Sequence, residues 1–235
     1  MQKETHKKEE MNEKVNDFVQ KHRTPVYVLL IFTAVLIVGF IVSYFIYGSI
    51  RKNANSVIGE LNTRYESMQA DFSEDMQNEE LETLISDLET FAKKIKISGY
   101  AAGKVYGILA DIYGKQKQWE DSEASWIKAA KKSGKSYLAP ISWFNAAVAA
   151  EEQDKKEQAI EHYTKSVGTQ TNFPAAVQAQ FSIGRLKEEL GDNNGAIEAY
   201  QALITGWSYD TAWTNIAHSR IIALETQKIE DEDIE

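Results

Sequence analysis

The stretches YGILADIYGKQKQWEDSEASWIKA (residues 106–129), WFNAAVAAEEQDKKEQAIEHYTKS (143–166) and QFSIGRLKEELGDNNGAIEAYQAL (180–203) decide the fold. Tyr106, Leu109, Ala110, Tyr113, Ser122, Trp126 and Ala129 are spaced 0, 3, 4, 7, 16, 20 and 23. Trp143, Ala146, Ala147, Ala150, Ala159, Tyr163 and Ser166 take the same places 37 residues later, and Gln180, Ile183, Gly184, Lys187, Ala196, Tyr200 and Leu203 take them again after another 37. Each copy reads as a helix, a short turn and a second helix. Small residues stand where the two helices press together, and an aromatic on the second helix fills the space towards the next unit. A single copy cannot bury its apolar face, so the copies must stack.

The joints carry suitable chemistry. Gly191 supplies a left-handed backbone at a helix end and Asp192 follows as a turn or cap residue. Pro140 and Pro174 stand before or at the starts of first helices, where a missing amide hydrogen costs little. Over about residues 100–209 the pattern resembles the tetratricopeptide repeat. Trp143, Leu109, Gly184, Tyr113, Ala159, Ala196, Tyr163, Tyr200 and Ala129 fit its positions. It departs in its period, 37 rather than the usual 34, and in the terminal proline, where Gly134 and Thr171 stand.

Outside the repeats, Leu81, Leu84, Ile85, Leu88, Phe91 and Ile95 form a helical stripe, the second helix of a degenerate first unit. Val57, Ile58, Leu61, Tyr65, Met68 and Phe72 predict its long first helix. Trp213, Ile216, Ala217 and Arg220 predict one more first helix, a polar-faced closure of the stack. The acidic end IEDEDIE reads as a solvated, disordered tail.

From Pro25 to Ile50 no residue is charged. At 1.5 Å per residue this run reaches about 39 Å, enough to cross a hydrocarbon core of roughly 30 Å. Tyr27, Tyr44 and Tyr47 fall where aromatic rings favour the interface. A cleaved signal would have a shorter apolar run. Basic residues near the span balance, with Lys14, Lys21 and Arg23 before it and Arg51, Lys52 and Arg64 after it. The short tail therefore sets the expected orientation: tail inside, large domain exported. Met11, Val15, Phe18 and Val19 make the tail either a short amphipathic helix at the inner surface or a solvated, frayed segment.

The organisation expected is a cytoplasmic tail (1–24), a transmembrane helix (25–50), a linking helix with a degenerate repeat (51–98), repeats with a capping helix (99–227) and an acidic tail (228–235). The fold class is all-α. A net charge of −9, and 20 basic against 30 acidic residues over 51–235, argues against nucleic-acid binding. The absence of cysteine excludes disulfides, thiolate zinc sites, a cysteine nucleophile and a lipoprotein anchor. KKSGKS (131–136) follows a helix and has Ala129 where the first glycine of a phosphate loop belongs. His162 and His218 read as exposed helix residues without metal-ligand spacing, and the acid pairs Glu151-Glu152 and Glu188-Glu189 as solvated faces. No cofactor, metal, small-molecule substrate or catalytic residue is expected.

The repeat resemblance implies a partner-binding groove lined by the first helices. Positions 2, 5, 9 and 12 of each repeat give Lys104, Gly107, Asp111 and Gly114, then Ile141, Phe144, Val148 and Glu151, then Gln178, Phe181, Arg185 and Glu188. Phe144 and Phe181 are either an apolar strip for a peptide or ordinary core. Of the family's clamp for a terminal carboxylate only Asn145 matches, so no clamp activity is expected. The order of tail, span, linking helix and acidic repeats resembles the bacterial ancillary SecYEG translocon subunit family. That resemblance implies an inner-membrane adaptor with a periplasmic domain, its partners being translocon subunits, periplasmic chaperones or exported clients. The alternative is a structural scaffold of a division, motility or outer-membrane assembly complex.

Overall fold

The computed structural model describes residues 2–70, 74–95, 99–169 and 173–232, and among these there is no strand. The N-terminal unit, residues 2–53, holds helix α1 (Gln2–Lys21) and the first part of α2 (Arg23–Ala70). The amides of His22 and Val26 still find carbonyls four residues back, at 2.9 and 3.0 Å, so hydrogen bonding continues between the two helices. The tail is thus helical, with Met11, Val15 and Phe18 all exposed; the Val19 side chain lies outside the described residues. Among the described residues, α2 is the helix long and apolar enough to cross a membrane, and its side chains from Tyr27 to Ile50 are exposed.

The second unit begins at Ala54 and continues through α3 (Glu74–Lys94), α4 (Tyr100–Lys115), α5 (Trp119–Lys132), α6 (Leu138–Glu151), α7 (Lys156–Thr169), α8 (Ala176–Glu189), α9 (Asn193–Gly206) and α10 (Thr211–Glu232). From α3 on, each helix packs on the next, and α4 also meets α6 as α8 meets α10. This is a stack of helical hairpins. Ala54, Ile58, Leu61 and Tyr65 of α2 share one buried cluster with Leu84 and Leu88 of α3 and Val105, Ile108 and Ile112 of α4. Val57 does not join it: one residue off that stripe, it is 41% exposed. Phe72 lies outside the described residues.

Close approach within each hairpin rests on Ala110, Ala147 and Gly184, all buried and 37 residues apart. A Cβ on Gly184 would lie 2.5 Å from the Tyr200 ring. The turns repeat as faithfully as the helices. Lys117, Asp154 and Gly191, again 37 apart, have φ of 58°, 55° and 78°. After each, the amides of Gln118, Lys155 and Asp192 reach back to the carbonyls of Tyr113, Ala150 and Lys187, each bond 2.9–3.0 Å long, closing the helix end. Only Gly191 announces this conformation by residue type. Asp192 then caps α9, its carboxylate accepting from the Gly195 amide at 2.9 Å.

The C-terminal end departs from expectation twice. Helix α10 buries Ala217, Ile221 and Leu224 against Tyr200 and Leu203, but Ile216, Ile222 and Ile229 are exposed on its other sides, so the closure is not uniformly polar. It also runs to Glu232, making the first part of the acidic end helical: nothing there is glycine or proline, and Glu and Lys are good helix formers. Residues 233–235 lie outside the described residues.

The Gly184→Ala substitution should destabilise the domain by about 2 kcal/mol, because the added methyl must push the Tyr200 ring aside. Gly168→Ala, with nothing within 4 Å of its Cβ, should instead be neutral or stabilising by about 0.5 kcal/mol. Urea denaturation followed by circular dichroism compares the two.

Candidate partner-binding groove

The first helices α4, α6 and α8 carry the positions that sequence marked. At position 5, Phe144 is half-buried, its ring 5.3 Å from Tyr163 and 6.4 Å from Phe173. Phe181 is also half-buried, 5.3 Å from Tyr200 and 5.1 Å from Trp213. Both rings therefore pack against the core and keep an accessible part. Gln178 is exposed and Val148 is 37% exposed, while Lys104, Asp111, Glu151, Arg185 and Glu188 are half-buried.

The charged members are knitted together rather than free. The Tyr163 hydroxyl donates to Glu151 at 2.6 Å, and Arg185 of the next repeat donates to the other oxygen of the same carboxylate. One repeat on, Tyr200 donates to Glu188 at 3.2 Å and Arg220 grips that carboxylate through Nε and Nη2. A Tyr–Glu–Arg link thus joins first helices across two successive junctions. Glu151 and Glu188 are not the solvated acids their sequence setting suggested, because the buried tyrosine of the partner helix ends at their carboxylates. Arg185 also donates to Glu189 at 2.6 Å, which Lys156 approaches at 3.2 Å. Partial burial opposes ionisation of Glu189, yet these two cations hold it below the usual carboxylate range. At the first junction Tyr65 of α2 donates to Asp111 of α4, and Lys115 donates to the Tyr65 hydroxyl at 2.9 Å.

The junction between α4 and α6 differs. Among the described residues no side-chain hydrogen bond or ion pair crosses it, and a cleft of about 210 Å³ opens there, lined by Tyr65, Lys104, Asp111, Trp126, Leu138 and Ile141 among others. Of the sequence-marked residues, this gathers Lys104, Asp111, Gly107 and Ile141; the Glu151, Arg185 and Glu188 set lies in the later junctions.

One cluster escaped sequence reasoning. His162 is not exposed: it is 4% accessible, its Nε2 3.0 Å from Glu123, which is itself 3% accessible. Glu123 also accepts from Gln153 at 2.9 Å and from Gln158, while Trp143 lies on the imidazole with ring centres 5.5 Å apart. Nδ1 of His162 is buried without a partner among the described residues. The available signal was the register: Glu123 stands where the other copies have Ile160 and Ile197, and His162 where they have Ser125 and Ala199. The cluster ties α5 to α7. Among the described residues no three His, Asp or Glu side chains converge as metal ligands would.

Residues 109–170 and 178–205 match two tetratricopeptide repeat models. A "TPR repeat-containing protein" from Treponema pallidum (strain Nichols) is 33% identical over 143 residues, which is 61% of this chain. The chain spans 59% of that relative's length. Among solved structures, the putative kinesin light chain of Podosopora anserina, with nearly identical TPR-like repeats, aligns with a TM-score of 0.52. It is 12% identical, over 75% of this chain and 90% of that one, a likeness of fold alone. Two segments of the chain thus match tetratricopeptide repeat models, and its fold is all-α with a helical-hairpin solenoid. Repeats of this kind bind proteins or peptides and are typically non-catalytic.

Two measurements check the polar framework. Glu123→Ala should cost about 3 kcal/mol in urea denaturation, because Gln153, Gln158 and His162 lose a shared buried acceptor. Burial pushes the Tyr200 phenol up to about 12, and burial with the Glu151 hydrogen bond raises Tyr163 further. The folded protein thus holds these protons more tightly than the unfolded chain, whose tyrosines titrate near 10. Stability should be intact below pH 10 and fall as pH rises through about 12. In Tyr200→Phe this alkaline loss should shrink, as read from unfolding midpoints between pH 8 and 12.

Proposed function

We propose that this chain is a membrane-tethered protein-interaction adaptor in envelope protein export or folding. In this reading α2 anchors it once in a bacterial inner membrane, the tail is cytoplasmic and the repeats face the periplasm. The observation that carries the proposal is the joining, in one chain, of an exposed apolar stretch from Tyr27 to Ile50 to a solenoid of peptide-binding type. An exposed apolar surface of that length is far larger than soluble proteins leave in water, and a bilayer is its natural cover. The net acidity of residues 51–235 keeps the repeats clear of anionic lipid.

Tethering raises the local concentration of a groove whose contacts with any one client are weak, which suits transient handling of exported chains. Val148 and Gln178 are the exposed marked positions, the ones a client would meet first. The Treponema relative fits a bacterial setting for this architecture.

A phosphatase reporter active only outside the cytoplasm, fused after Gln227, should be active in cells. Photocrosslinkers at Val148 and Gln178 should capture translocon subunits together with many exported proteins. Reporter activity confined to the cytoplasm would overturn the envelope reading, and capture of one folded partner at a fixed ratio would replace the adaptor by a scaffold.

A further inference from the structure

The three repeats fill position 5 unequally. Phe144 and Phe181 each set a phenyl ring against the tyrosine of their second helix, with centres 5.3 Å apart in both copies. In the first repeat the same register holds Gly107, and the aromatic of the second helix is Trp126. The edge of the Trp126 indole comes within 3.3 Å of where a Gly107 Cβ would stand, so it takes part of the missing ring's room. The remainder is the cleft of about 210 Å³ between α4 and α6. For scale, a core cavity of about 150 Å³ admits benzene.

We infer that this cleft is a socket for one aromatic side chain of a bound peptide, which there replaces the phenylalanine the other repeats provide for themselves. The inference rests on the groove reading above and names the chemistry it selects. The occupant's ring would meet Trp126 as Phe144 meets Tyr163, edge to face, with Ile141 supplying an apolar wall.

Charge narrows the partner further. Lys104 lines the cleft, and among the described residues no carboxylate pairs with it, whereas Asp111 is already engaged by Tyr65 and Lys115. The socket is therefore cationic at its rim within an acidic domain. Lys104 stands one helical turn from Gly107, about 5 Å along the axis, close to the reach of one or two extended residues. The partner is thus an extended segment with an aromatic residue followed closely by an Asp or Glu.

The test uses the full chain in detergent micelles with its five tryptophans replaced by 5-fluorotryptophan, Trp126 being assigned by Trp126→Phe. The probes are capped octapeptides of sequence Gly-Ser-Gly-Phe-Asp-Gly-Ser-Gly and its relatives with Ala for Phe or Lys for Asp. The Phe-Asp peptide should shift the Trp126 fluorine signal saturably, with a Kd about tenfold below those of the other two. Gly107→Phe should abolish the shift, with the other four signals reporting an intact fold. Lys104→Glu should reverse the preference towards the Lys peptide. Equal response to the Phe and Ala peptides would overturn the socket. Shifts at Trp143 and Trp213 with Trp126 unmoved would also overturn it while leaving the groove standing, and no shift at any tryptophan would count against both.

Discussion

Everything in the repeat unit depends on how closely the two helices of a hairpin approach at Ala110, Ala147 and Gly184. With no side chain beyond a methyl there, the aromatic of the second helix can lie directly over the first, and at Gly184 the room is so exact that a single Cβ would enter the Tyr200 ring. That placement has a polar consequence. The tyrosine hydroxyl reaches the end of the first helix, where Glu151 or Glu188 accepts it, and the carboxylate is then held at a fixed point for the arginine of the next unit. Packing inside one hairpin thus sets the registration between hairpins. Partly exposed ion pairs contribute little alone, but sharing the carboxylate with a buried tyrosine limits the entropy lost in holding it.

The first repeat solves the same problem differently. Gly114 stands where later copies have Glu151 and Glu188, so no carboxylate is available to link α4 to α6. Its tie to the second repeat is made on the other layer, where the buried Glu123 collects His162, Gln153 and Gln158. The junction is therefore held at the second helices and open at the first.

The N-terminal unit obeys a separate constraint. Its side chains from Tyr27 to Ile50 are exposed, and its helical backbone satisfies its own hydrogen bonds, as any helix long and apolar enough to cross a membrane would. The same helix α2 continues past Ala54, where its pattern changes to the stripe of Ile58, Leu61 and Tyr65 that joins the repeat core. One element thus changes from an exposed apolar surface to a buried stripe along its length.

Much of this was legible in the residues alone. The 37-residue register, the hairpin of each copy, the small contact positions, the Asp192 cap and the apolar helix all follow from spacing and side-chain size, because helix periodicity and close packing act on neighbours in sequence. What the sequence could not rank were contacts made across repeats. Lys117 and Asp154 adopt the left-handed turn that only Gly191 advertises, since the closed turn imposes it on any residue there. His162 looked like a surface residue until stacking brought it together with Glu123 out of water. Glu151 and Glu188 stand at the ends of first helices, yet only the tertiary structure decided that each accepts from the tyrosine 12 positions on and pairs with an arginine, Arg185 or Arg220, more than 30 positions on. The gap beside Gly107 belongs to the same class: its residue was visible in the register, but an empty volume exists only once its walls have been folded into place.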